Sequence, residues 1–99
     1  MATYKLSPEA EDDLYRIWGY GAKNFGVEQA DKYFAAFFYQ FGLIAKDPLL
    51  FQSVDHIREG YRRAVSGVDS IYYRVIGDVV EVMAIIGRQD IQSKLSKFK

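Results

Sequence analysis

The first half of the chain carries apolar residues at spacings of three and four, which is the pattern of two amphipathic helices. The first helix is predicted over residues 8–25, because Ser7 is a suitable N-cap and Pro8 suits the first helical position. The second is predicted over residues 27–45, where alanine and aromatic side chains form the apolar stripe. Gly26 alone separates the two helices, so they should fold back on each other as an antiparallel hairpin.

Strand-like segments dominate the last third of the chain. Residues 61–65, 71–76 and 79–86 are rich in Val, Ile and Tyr and are separated by turns that contain Gly, which predicts three consecutive strands. The last of them is apolar on both faces, so it belongs in the middle of a sheet. A further short strand is predicted over residues 2–6, whereas residues 49–59 receive no assignment.

The order β-α-α-β-β-β predicts a single domain with an α+β fold, in which the helical hairpin packs on one face of a small, mainly antiparallel sheet. The other face is expected to carry arginines and tyrosines. Regular alternation would place Val82 and Ala84 on one face of the last strand, and Tyr72 and Tyr73 on opposite faces of the strand before it. The spacing of apolar residues in 89–99 predicts a short amphipathic helix at the end of the chain.

Composition narrows the class of protein. Aromatic residues make up 16% of the chain, with 8 Tyr and 7 Phe, and a core this small cannot hide them all, so some are expected at an interface. The chain has no Cys, which excludes disulfides and Cys-based zinc sites and fits a cytoplasmic protein. Because there is no apolar run of membrane-spanning length, no metal-ligand spacing and no phosphate-binding glycine loop, we expect no membrane contact, no metal and no cofactor.

The formal net charge of zero hides two halves of opposite sign. Residues 1–59 contain 6 Lys and Arg against 9 Asp and Glu, whereas residues 60–99 contain 7 against 4. The positive charge therefore collects on the predicted strands and on the tail. This division favours a basic surface that meets an acidic partner.

Four motifs, in order, resemble those of the ParE/RelE superfamily of bacterial toxin–antitoxin toxins. Residues 6–14 (LSPEAEDDL) are similar to the family's entry into its first helix, and residues 53–63 (SVDHIREGYRR) to the acidic loop that precedes Gly-x-Arg. Residues 69–74 (DSIYYR) resemble the I-x-Y-R strand, and residues 83–90 (MAIIGRQD) the ending V-x-x-I-x-x-R-x-D. The resemblance covers nearly the whole chain, and the ordered set of motifs carries it.

The resemblance implies the toxin of a type II toxin–antitoxin system, in the ParE branch, which inhibits DNA gyrase by protein contact and has no reaction of its own. Its partner would be a ParD-like antitoxin whose C-terminal segment folds on binding, so the toxin would form a hetero-oligomer with it. DNA would be met only through gyrase or the antitoxin, and the role would be growth inhibition and plasmid maintenance. Two alternatives stay open: a RelE-like ribosome-dependent mRNA endonuclease, and a non-toxic remnant that only binds an antitoxin and helps it repress its operon.

Candidate catalytic groups are few. RNA cleavage by attack of a 2′-hydroxyl needs a general base, a general acid and cations. Many members of the superfamily carry a His just before the final Arg, but this chain has Gly87 there, and its one His is His56 in the unassigned connection. Tyr72 or Tyr73 could act as a proton donor, but no general base is evident. We therefore assign no catalytic residue and favour the ParE branch.

Charge placement and aromatic content select the candidate binding residues. The candidates for target binding and toxicity are Arg62, Arg63, Arg74 and Arg88. The candidates for antitoxin binding are Trp18, Phe37, Phe38 and Tyr72. The alternatives are structural: the arginines can form a solvated sheet face that pairs with Asp69 or Glu81, Arg88 can pair with Asp90, and the stripe of the second helix can be core.

Overall fold

The computed structural model of the chain describes residues 3–87. The elements follow in the order β1 (Thr3–Leu6), α1 (Pro8–Phe25), α2 (Val27–Lys46), β2 (Gln52–Ser53), β3 (Arg62–Ser66), β4 (Asp69–Ile76) and β5 (Val79–Gly87). They form one five-stranded sheet in the order β1-β5-β4-β3-β2, in which β1 runs parallel to β5 and the other neighbours are antiparallel. The predicted α+β fold and its mainly antiparallel sheet are confirmed. The predicted tail helix and Arg88 lie outside the described residues.

Local capping sets both ends of α1. The hydroxyl of Ser7 accepts a hydrogen bond of 3.0 Å from the N–H of Ala10, and Pro8 occupies the first turn, where its missing N–H leaves no group unpaired. At the other end Gly26 has a φ of +94°, and its N–H donates to Ala22 O at 3.1 Å. A positive φ is accessible to glycine without strain. Since α2 begins at the next residue, the hairpin is as tight as the sequence predicts.

The core lies between the helical hairpin and one face of the sheet, which is called here the helix-covered face. Phe37, Phe41 and Ile44 of α2 meet Ile71 and Tyr73 of β4, and each of these side chains is fully buried. Burial of one such side chain stabilises the fold by about 1.5–3 kcal/mol. The aromatic stripe of α2 is therefore mainly core.

A β-bulge at Met83 interrupts the alternation of β5. Tyr72 pairs with Ala84 whereas the next residue, Tyr73, pairs with Val82. Met83 therefore has no pairing partner on β4 and is the extra residue of the bulge. Val82 packs in the core, but Ala84 faces the opposite side of the sheet together with Tyr72. The expectation that Val82 and Ala84 share a face is wrong, because the extra residue inverts the alternation that follows it.

Beyond the end of β1, the N-cap Ser7 and two side chains of α1 bind the backbone groups of β5 that β1 would otherwise pair. The hydroxyl of Ser7 donates to Met83 O at 3.0 Å, and the N–H of Ile85 donates to Asp13 Oδ2 at 2.9 Å. Arg16 Nη2 lies 3.5 Å from Ile85 O. Buried backbone groups need such partners, since β1 has already ended at the bulge. The contacts fix the start of α1 beside β5.

Residues 54–61, which begin in the connection that the sequence left unassigned and end just before β3, cover the second face of the sheet, called here the helix-free face. The segment folds into turns, in which Ile57 N–H donates to Val54 O at 2.8 Å and Val54 N–H to Tyr61 O at 2.9 Å. Its apolar side chains pack on Tyr72 and Ala84 in a second, smaller buried cluster. Part of the helix-free face is thus closed by a loop. Between residues 3 and 87, no helix is long and apolar enough to cross a membrane.

Candidate functional site

Adjacent arginines of β3 lie on opposite faces of the sheet. Arg62 is the cross-strand partner of Tyr73 on the helix-covered face, and its Nη1 donates to Phe51 O at 2.7 Å and to Leu49 O at 3.4 Å. Arg63 lies on the helix-free face. The expectation that both belong to one basic face is wrong, because side chains alternate along a strand. Arg62 holds the chain that follows α2 against the sheet.

The helix-free face presents Arg63 and Arg74, and both have partners on neighbouring strands. Arg63 Nε donates to Ser70 Oγ at 2.9 Å. Arg74 donates through Nε and Nη2 to Glu81 Oε1, at 2.9 and 2.8 Å, and its side chain is still 39% exposed. Arg74 therefore has the structural partner that the sequence offered as an alternative, and it retains surface for a further contact.

A charged cleft opens beside the start of α1. It has a volume of about 830 Å³, and its lining includes Arg16, Arg58, Arg74, Glu9, Asp12 and Met83. The sequence motifs singled out Arg74 alone among these arginines. Arg16 lies on α1 and Arg58 in the loop before β3, so only the tertiary fold brings the three together.

The arginines of the charged cleft are each held by a neighbouring group. The guanidinium of Arg58 lies 5.8 Å from the centre of the Tyr61 ring, which is a cation–π distance. Arg16 Nη2 lies 3.3 Å from Asp13 Oδ1. These contacts orient the guanidinium groups before any partner arrives. Asp13 itself is 4% exposed and lies within the fold.

The tyrosines considered as proton donors are both buried. Tyr72 is 1% exposed beneath the 54–61 segment, and Tyr73 is fully buried on the helix-covered face. The hydroxyl of Tyr73 donates to Pro48 O at 2.5 Å. Burial raises the pKa of Tyr73 to about 12, although the charge of Arg62 lowers it in part. Neither ring is placed to serve a substrate on the helix-free face, and His56 lies on the exposed side of the loop.

The four candidates for antitoxin binding fall into two groups. Phe37 and Tyr72 are buried, so neither side chain offers surface to a partner in this conformation. Trp18 and Phe38 are half-buried on the helical hairpin, where Trp18 Nε1 donates to Asp31 Oδ1 at 2.8 Å. The expectation of a contact surface is wrong for the two buried residues, because their periodicity marks the core and not an interface.

Exposed apolar side chains occur elsewhere on the hairpin and after it. The rings of Tyr20 and Phe25 lie 6.4 Å apart at the end of α1, and each side chain is at least 65% exposed. The other strongly exposed large apolar side chains of the described chain include Tyr15, Tyr39, Leu49, Leu50 and Val68. The composition had indicated such a surplus, but periodicity alone did not locate it.

A polar cluster ties α2 to the turn between β3 and β4. The hydroxyl of Tyr33 lies 2.7 Å from Asp69 Oδ2 and 3.0 Å from Ser66 O, and it accepts the N–H of Val68. Burial, with the hydrogen bond to Asp69, raises the pKa of Tyr33 to about 12. Gly67 has a φ of +61°, and a Cβ there would lie 2.5 Å from the Tyr33 ring. The turn therefore requires glycine for two reasons.

No metal site is evident in residues 3–87, since no group of three His, Cys, Asp or Glu side chains there could hold an ion. Every buried side-chain nitrogen and oxygen in that part of the chain has a hydrogen-bond partner. The surfaces described above consist of charge and apolar area, which suit contact with a protein.

Comparisons with known proteins agree with this fold. The family model for the ParE toxin of type II toxin-antitoxin systems, parDE, matches residues 4–92. Toxin ParE1 of Caulobacter vibrioides is 38% identical over 86 residues, which cover 87% of this chain and 88% of the relative. Toxin ParE1 of Mycobacterium tuberculosis is 32% identical over 94 residues, which cover 93% and 96%.

The chain also resembles the solved structure titled "Chromosomal ParDE TA system from P. aeruginosa", with a TM-score of 0.78 and 20% identity. That match covers 88% of this chain and 96% of the other, and it concerns the fold alone. The family model and the two relatives extend over most of the described residues. The chain therefore belongs to the ParE toxin family of type II toxin–antitoxin systems.

Proposed function

We propose that this toxin inhibits DNA gyrase by protein contact and that a ParD-like antitoxin neutralises it. The observation that carries the proposal is the match to the ParE family over residues 4–92. Both partners would be met in the cytoplasm, where the toxin would be held in a hetero-oligomer with its antitoxin. DNA would be reached only through these proteins.

The geometry supports contact in preference to chemistry. The helix-free face presents guanidinium groups, but Tyr72 and Tyr73 are buried, and the hydroxyl of Tyr73 already donates to Pro48 O. RNA cleavage would need an accessible acid and base on one surface. A protein inhibitor needs complementary charge and shape, and arginine serves such interfaces because its planar fork binds carboxylates in pairs of hydrogen bonds.

The proposal assigns the two partners to different groups of residues. Arg63 and Arg74 of the helix-free face, with Arg88 beyond the described residues, are the candidates for gyrase contact. Trp18 and Phe38 of the helical hairpin are the candidates for antitoxin contact. Arg62 contributes through the stability of the fold, because its guanidinium is engaged by the backbone after α2.

A supercoiling assay with purified gyrase tests the proposal. We expect the purified toxin to inhibit supercoiling in a concentration-dependent manner, and the cognate antitoxin, added beforehand, to prevent the inhibition. Cells that express the toxin should filament and accumulate damaged DNA. Rapid arrest of translation, with codon-periodic cuts in mRNA and no effect on gyrase, would contradict the proposal in favour of a nuclease.

A further inference from the structure

We propose that the charged cleft binds a segment of the antitoxin. The cleft has a basic wall and an acidic wall, so the segment would carry an acidic side chain for the first and a basic side chain for the second, and this pairing would fix the direction in which the segment binds. The inference rests on the proposed function, since it assigns a surface to the antitoxin. It adds a contact that the half-buried aromatic residues of the hairpin do not supply.

The basic wall of the cleft consists of Arg58 and Arg74. The guanidinium of Arg58 is stacked on the Tyr61 ring at 5.8 Å, and that of Arg74 is held by Glu81 at 2.8 Å. Both groups are thus oriented in advance, which lowers the entropic cost of binding. Arginine in this state is suited to a carboxylate, because charge-assisted hydrogen bonds to it are short and directional.

The acidic wall consists of Glu9 and Asp12 in the first turns of α1; Arg16 of the same helix also lines the cleft, but its charge is offset by the ion pair with Asp13 at 3.3 Å. Asp12 is exposed, whereas the neighbouring Asp13 lies within the fold on the N–H of Ile85. Two carboxylates beside the start of α1 oppose the binding of a polyanion there, so a nucleic acid fits the cleft poorly. A basic side chain on the same ligand fits this wall.

The floor of the cleft and its size favour a polypeptide. Met83 of the bulge and Pro8 also line the cleft and give it an apolar part. A volume of about 830 Å³ lies within the range of about 300–1,000 Å³ typical of ligand pockets, so several side chains can enter. An apolar residue between the two charged residues of the segment would cover Met83.

The polarity of the walls has consequences for direction and for neutralisation. A segment that entered in the reverse direction would place its carboxylate beside Asp12 and its basic group beside Arg58, and both contacts would be repulsive. An antitoxin segment bound in the cleft would cover Arg74, which is also a candidate for gyrase contact. The antitoxin would then neutralise the toxin by occupying part of the surface that gyrase needs.

Charge reversal of each wall tests the inference. The probe is the full-length antitoxin encoded beside the toxin, and the measurement is its dissociation constant by titration calorimetry. We expect Arg58→Glu and Asp12→Lys each to weaken binding at least about tenfold. The matched controls are Lys32→Glu and Glu28→Lys, which change the same charges in an exposed pair on α2, and which should leave the constant within about twofold.

Rescue identifies the partner side chain. Replacement of the antitoxin's acidic residue by lysine should restore binding to Arg58→Glu and weaken binding to the unaltered toxin. Thermal melting confirms that each variant is folded, and Arg58→Gln replaces Arg58→Glu if the latter does not fold. Unchanged affinity of both wall variants overturns the inference and leaves the proposed function standing. If only one of the two wall variants binds the antitoxin more weakly, the claim about direction is overturned. If the unaltered toxin does not bind the antitoxin at all, the proposed function itself is overturned.

Discussion

The two faces of the sheet differ in chemistry although the same strands make both. On the helix-covered face, aromatic and aliphatic side chains pack against the hairpin, and the polar groups of Tyr73 and Arg62 donate to backbone oxygens. On the helix-free face, a loop covers only a small cluster and arginines pair with neighbouring side chains at the surface. The helix-covered face holds the larger buried cluster, whereas the helix-free face combines a smaller one with surface arginines. One step along β3 is enough to change the surroundings of an arginine: Arg62 binds backbone oxygens after α2, whereas Arg63 binds Ser70 on the helix-free face.

The largest expected effect lies on the helix-covered face. Phe37→Ala should lower the free energy of unfolding by about 3–5 kcal/mol, because it removes a fully buried ring and leaves a cavity. Tyr39→Ala, two residues further along α2 and 72% exposed, should change it by less than about 0.5 kcal/mol. Urea denaturation of both variants gives the comparison. Similar losses for the two would mean that α2 does not divide into a buried and an exposed side.

The next effect concerns the turn between β3 and β4. Gly67→Ala should lower the free energy of unfolding by about 2–4 kcal/mol, because it adds left-handed strain and a clash with the Tyr33 ring. Gly77→Ala is the control, since Gly77 has a similar φ of +60° but nothing within 4 Å of the added Cβ. It should cost only the strain, about 1–2 kcal/mol. Equal costs at the two turns would show that Tyr33 moves aside freely.

An effect of a different kind should appear at high pH. The pKa values of Tyr33 and Tyr73 are raised to about 12, whereas an unfolded tyrosine titrates near 10. The folded state then binds more protons than the unfolded state between these values, so stability is complete below about pH 10 and falls as the pH rises to about 12. Absorbance at 295 nm should show tyrosines that ionise late, and Tyr33→Phe and Tyr73→Phe should each lower their number by one. A chain that is as stable at pH 11.5 as at pH 8 would contradict the expectation.

Local signals in the sequence determined what could be predicted of the fold. Ser7, Pro8 and Gly26 set the ends of α1 and the start of α2 through contacts within a few residues, so these boundaries followed from the sequence. The parallel pairing of β1 with β5 joins Thr3 to Val79, and no local signal encodes that register. The bulge at Met83 does not follow from simple alternation either, because it is a feature of the pairing with β4, and the hydrogen bond from Ser7 to Met83 O joins residues far apart in the chain.

The candidate site was predicted less completely than the fold. The separation of Arg62 from Arg63 could have been predicted, because strand alternation alone places neighbours on opposite faces. The gathering of Arg16 and Arg58 with Arg74 could not, because they lie in three elements and only tertiary packing brings them to one cleft. Charge counts indicated the basic half of the chain, but they did not reveal the acidic wall beside it.

The most direct test of the division between the two faces is a paired measurement on Arg62→Ala and Arg74→Ala, in which unfolding free energy and gyrase inhibition are determined for both. Arg62→Ala should lose about 1.5–3 kcal/mol of stability, because its charged hydrogen bonds to Phe51 O and Leu49 O disappear. It should still inhibit gyrase at temperatures where it is folded. Arg74→Ala should stay within about 1 kcal/mol of the unaltered chain, because it loses one partly exposed ion pair, and its inhibition should fall at least about tenfold. A stable Arg62→Ala that no longer inhibits, or an Arg74→Ala that inhibits fully, would contradict the assignment of stability to one face and recognition to the other.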